Sequence, residues 1–79
     1  MQERRAHRRR TFIGAKILLN GVSVLDCLVK DLSDGGARLA VDGALTIPAA
    51  FDLLLSDGRV FHCNVKWRQV TSLGVSFAP

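Results

Sequence analysis

Turn chemistry cuts this chain into pieces too short for anything but β-strands. Asn20-Gly21, Asp34-Gly35-Gly36, Asp42-Gly43, Asp57-Gly58 and Thr71-Ser72 follow one another at short intervals, and such pairs favour the tight turns that join antiparallel neighbours. Between them apolar residues recur at every second position. The first run, Phe12 to Leu19, sets Ile13, Ala15, Ile17 and Leu19 on one face and Lys16 on the other. In the second, Ser23 to Asp31, Leu25, Cys27 and Val29 alternate with Asp26 and Lys30. Ala37, Leu39 and Val41 oppose Arg38 in a third, and Phe51, Leu53 and Leu55 form a fourth face. Phe61, Cys63, Val65 and Trp67 then alternate with His62, Asn64, Lys66 and Arg68, and Leu73, Val75 and Phe77 make the sixth. Period two places each set on one side of a strand. Residues 44 to 50 read as a turn or short helix, because Pro48 breaks any ladder.

Six short strands close most economically as a small antiparallel barrel, which leaves no long edge exposed. The expected fold is all-β: a six-stranded barrel over residues 11–79, preceded by a flexible arginine-rich arm over residues 1–10. Every inward position is apolar or a thiol, so the interior is core and a ligand must bind outside or at a rim. The 79 residues give room for one domain. No run approaches the roughly 20 apolar residues of a membrane span.

Charge is concentrated at one end. Arg4, Arg5, Arg8, Arg9 and Arg10, five of the eight arginines, share the first ten residues with Glu3 for a net +4, whereas residues 11 to 79 hold six basic and six acidic side chains. A guanidinium arm on a neutral body implies an anionic partner, since Arg offers bidentate donors for phosphate and a planar face for stacking. Arg9-Arg10-Thr11-Phe12-Ile13 looks like a twin-arginine export signal. Gly14, Lys16 and Asn20-Gly21 interrupt the apolar region such a signal needs, and no small-residue cleavage site follows. Cys27 and Cys63, both on inward faces, read as buried free thiols of a reducing, cytoplasmic setting. Neither they nor His7 and His62 have metal-ligand spacing, and no nucleophile with a base and acid marks a catalytic site. A binding protein without metal or cofactor is expected, not an enzyme.

The polar residues resemble the PilZ domain, a receptor module for the bacterial second messenger cyclic di-GMP, and the resemblance spans nearly the whole chain. Glu3-Arg4-Arg5-Ala6-His7-Arg8-Arg9 is similar to the family's arginine motif, with Arg5 and Arg9 as its RxxxR pair. Asp31-x-Ser33-x-x-Gly36 matches its (D/N)xSxxG motif, and Val65-Lys66-Trp67-Arg68 with Leu73-Gly74-Val75-Ser76-Phe77 is similar to its last two strands. The resemblance implies a cyclic di-GMP site of Arg4, Arg5, Arg9, Asp31, Ser33, Gly35 and Gly36. An arginine at the place of Arg4 goes, in the family, with two stacked ligand molecules. Arg8 stands where the family often has proline, which leaves the arm less pre-organised. With the last strand ending near Pro79, the signal is expected to leave through an unidentified protein effector or through self-association.

Physical chemistry gives the same residues compatible roles. Cyclic di-GMP carries two phosphates and two guanines, and Arg serves the first by charge and the second by stacking. A guanine edge offers N1–H and N2–H₂ donors that the Asp31 carboxylate can accept. Ser33 can donate to a base or phosphate oxygen, and Gly35 and Gly36 permit positive φ and a close ring. The plain alternatives are a solvated tail and a hairpin whose Asp and Ser bond their own backbone. Two other functions compete: a PilZ-like fold acting through protein contacts without nucleotide, and a basic barrel binding RNA or single-stranded DNA. Nucleic acid is the less expected partner, because Phe51, Phe61, Trp67 and Phe77 fall inward and only Phe12 remains for stacking.

Overall fold

In the computed structural model, residues 9–19 and 23–78 are described, with the side chains of Arg9 and Arg10 left aside. The arm residues Arg4 and Arg5 and the Asn20-Gly21 turn lie outside the described residues. Six strands form: β1 (Arg9–Leu19), β2 (Ser23–Leu32), β3 (Gly36–Ala40), β4 (Ala50–Leu55), β5 (Val60–Gln69) and β6 (Ser72–Phe77). They close into an antiparallel barrel in the order β1-β2-β3-β6-β5-β4. The expected six-stranded antiparallel barrel is therefore the observed one, with β1 reaching back from Phe12 to Arg9.

The alternation read from the sequence builds the core. Ala15, Ile17, Cys27, Val29, Leu39, Val41, Phe51, Leu53, Leu55, Cys63, Leu73 and Val75 are all buried, joined by Ala44 and Ile47 from the connection between β3 and β4. Phe61 and Phe77 stack with their ring centres 4.3 Å apart and pack against this core from its edge. Both cysteines are buried free thiols. Burial, with Asp26 adding, pushes Cys27 up to about 11, and burial, with Asp52 and Cys27 adding, pushes Cys63 up to about 12. At neutral pH both are protonated and unreactive as nucleophiles.

The ambiguous stretch is a single 3-10 turn over Ala44–Thr46, entered through Gly43 at φ 75°. The Arg68 guanidinium ties this turn to β5, donating to the carbonyl oxygens of Ile47 at 2.6 Å and Leu45 at 3.3 Å. Among the described glycines, Gly43 and Gly58 take positive φ. Gly35 and Gly36 do not, so the positive φ that glycine permits there is not used.

Three strands depart from strict alternation, and all three depart at the same level of the barrel. Pairing slips between Arg10 and Ile13 in β1, between Val29 and Asp31 in β2, and between Val65 and Trp67 in β5. Each slip is a β-bulge, in which extra residues on one strand oppose fewer on its neighbour, and those in β2 and β5 re-aim the side chains beyond them.

Candidate functional site

Beyond the bulges one row of paired residues crosses five strands: Arg10 on β1, Asp31 on β2, Arg38 on β3, Gly74 on β6 and Trp67 on β5. Paired residues in a sheet project from the same face, and Arg38 fixes which face this is. Arg38 alternates with buried Leu39 and is itself part-exposed, so the positions of Asp31, Arg38 and Trp67 in this row lie on the outward face. Unbroken alternation from Cys27 and Val29 would have turned Asp31 into the core, where an ionised carboxylate is costly. The bulge at Lys30 turns it out.

The same device corrects the reading of Trp67 as a core residue. The bulge at Lys66 carries Trp67 to the outer face, where it is 43% exposed. Its indole lies against Gly74, so that a methyl group at Gly74 would overlap the ring. A larger residue at position 74 has no room beneath it. Trp67, Arg38 and Lys66 are thus residues of this surface that sequence reasoning missed. Period two argued against the first, and a bulge has no composition signature of its own. The one available signal was Gly74, a residue without a side chain at an outward position of a strand.

Asp31, Ser33, Gly35 and Gly36 line a single exterior cleft of about 310 Å³ together with Arg38 and Trp67. Asp31 is only 6% exposed, and its Oδ2 accepts a bond of 2.5 Å from Arg38 Nε. Ser33 sits in the turn after β2, where its backbone N–H bonds the Gly36 carbonyl at 2.9 Å and its hydroxyl donates to the same oxygen at 3.2 Å. Gly36 pairs with Ser76, and a methyl group there would overlap the Val75 carbonyl oxygen. Close approach of two backbones is therefore what requires glycine at 36. Beside Gly35 a side-chain atom would meet nothing, and its carbonyl accepts from Phe77 N–H at 2.9 Å. Of the arginine motif, the backbone of Arg9 pairs with Leu32, one step from Asp31. The backbone of Arg9 thus lies in the sheet beside the cleft.

The described residues thus form a small closed barrel with a cleft on its outer wall, floored by a glycine-rich seam and edged by an acid, a base and an indole. The chain belongs to the PilZ domain family, whose model it matches over residues 2–79. That family is generally a cyclic di-GMP-binding domain, a binding and adaptor module and not an enzyme family. No curated protein matches the chain. Among the described residues, no helix is long and apolar enough to cross a membrane.

Proposed function

We propose that this chain is a receptor for cyclic di-GMP that works in the cytoplasm and relays ligand binding to a protein partner. The observation that carries the reading is the convergence of Asp31, Ser33, Gly35 and Gly36 with Trp67 and Arg38 on one cleft, next to the strand pairing of the Arg9 backbone. Asp31 accepts from a guanine edge, Ser33 contributes a hydroxyl, and the indole of Trp67 offers a stacking face. Arg5 and Arg9, with Arg4, supply charge for the phosphates and planes for the second base. At about 310 Å³ the cleft is at the small end of ligand sites. It takes one nucleotide of the ligand, and the arm covers the rest.

Calorimetry with cyclic di-GMP tests this directly. Micromolar or tighter binding is expected, and Arg5→Ala and Arg9→Ala should each weaken it at least about tenfold, or about 1.4 kcal/mol. Wild-type affinity in both variants would remove the arginine assignment. The same titrations count ligands: two per chain are expected, falling towards one in Arg4→Leu. A wild-type ratio of one removes the role of Arg4 and leaves the receptor reading standing.

The exposed aromatics, Trp67 and Phe12 at 76% exposure, favour the nucleic-acid reading more than the sequence did. Salt dependence separates the two. Oligonucleotide binding by the arm is driven by counterion release and falls steeply with log salt. Cyclic di-GMP binding, with two phosphates and much of its free energy in stacking and edge bonds, should fall gently and should be preferred over cyclic di-AMP. Tight oligonucleotide binding near physiological salt with no response to cyclic di-GMP would replace this reading.

A further inference from the structure

The geometry points to Arg38 as a second nucleobase-reading residue: with Asp31 it forms one acceptor–donor edge complementary to guanine and opposed to adenine. The inference rests on the cyclic di-GMP reading of the cleft and extends it to a residue outside the arginine and DxSxxG motifs.

Arg38 and Asp31 are direct partners across β2 and β3, both line the cleft, and Arg38 Nε holds Asp31 Oδ2 at 2.5 Å. This pair differs from the other described ion pairs. Lys16–Asp26, Arg59–Asp57 and His62–Asp52 keep both side chains between 44% and 84% exposed, whereas the Asp31 side chain is 8% exposed and that of Arg38 39%. A nearly buried carboxylate backed by a half-exposed guanidinium is a held acceptor with a donor fork beside it. The holding bond uses Nε and one of the carboxylate's several lone-pair sites. The terminal Nη groups carry further donors, and among the described residues none of them meets an acceptor.

Guanine presents O6, N1–H and N2–H₂ in sequence along its pairing edge. A carboxylate accepting from N1–H and N2–H₂ brings O6, an acceptor that arginine donors also read in DNA together with N7, to the side where a neighbouring donor completes the match. Adenine reverses both contacts. Its N6 amine meets the guanidinium donors, and its bare N1 meets the carboxylate. The Asp31–Arg38 pair therefore adds discrimination that Asp31 alone does not supply, and the bond between them fixes the spacing at which the edge is read.

The test is calorimetry of wild type, Arg38→Met and Arg38→Lys with cyclic di-GMP, cyclic di-IMP and cyclic di-AMP, each protein checked by a thermal melt. Cyclic di-IMP keeps O6 and N1–H but lacks the N2 amine. Arg38→Met should lose about tenfold or more for both O6-bearing ligands and less than about threefold for cyclic di-AMP. Arg38→Lys, a point charge without the fork, should recover only part of that loss. If Arg38→Met proves too unstable to assay, Arg38→Gln, which keeps a donor for Asp31 but not the charge, carries the same comparison. Unchanged cyclic di-GMP affinity, or an equal loss for all three ligands, overturns the Arg38 assignment alone. Failure of the wild-type chain to bind cyclic di-GMP overturns the reading beneath it as well.

Discussion

Replacing Asp31 by Ala is expected to weaken cyclic di-GMP binding by roughly 30- to 150-fold, equivalent to about 2 to 3 kcal/mol for the loss of a charged acceptor facing the guanine edge. The barrel should hardly notice. Asp31 is almost buried, so its removal relieves a desolvation cost, and its partner Arg38 stays half-exposed and can find water. A melting temperature within about 5 °C of wild type is therefore expected. Titration and thermal melt on the same sample separate the two roles. Wild-type affinity would take Asp31 out of the ligand site, and a collapse of the melt would make it a residue of the fold.

Gly36→Ala and Gly74→Ala add the same methyl group to neighbouring strands and should do opposite things. At Gly36 the methyl meets the Val75 carbonyl oxygen, a backbone atom that can move only if the seam between β3 and β6 opens. Overpacking of this kind costs about 2 to 3 kcal/mol, which for a domain of this size lowers the melting temperature by roughly 10 to 20 °C. At Gly74 the methyl meets the indole of Trp67, a half-exposed side chain that can swing into solvent. Stability should stay near wild type there. The emission of this single tryptophan should shift to the red, and cyclic di-GMP affinity should fall by about tenfold as a stacking face is lost. A Gly36→Ala protein that melts like wild type would show that the seam gives. Unchanged emission and affinity in Gly74→Ala would deny Trp67 its place at the cleft.

The same two glycines show where local reading stops. Gly36 was legible as a motif residue, but the close approach of the Val75 carbonyl that requires glycine there was not. A turn's φ values depend on its own few residues, whereas the approach of Val75 depends on which strand comes to lie beside β3, and β6 is remote in sequence. Likewise Asp31, Ser33 and Gly36 were found by spacing, while Arg38, Lys66 and Trp67 were not, because only strand pairing brings β5 and β6 to the wall that β2 and β3 begin.

What the sequence by itself determined is the set of strands, their turns and nearly all of the core. These follow from period-two alternation and turn residues, both local properties that each segment carries whatever surrounds it. What only the tertiary structure decided is the level at which that alternation breaks. Six strands closing on one another must agree in register at every seam, so residues surplus to one seam are expelled as bulges at positions set by the neighbouring strands and not by the segment itself. At Lys30 and Lys66 such bulges reverse the faces of Asp31 and Trp67. Two residues that alternation directs into the core instead meet on the outer wall, and the cleft exists because barrel closure outranks local period.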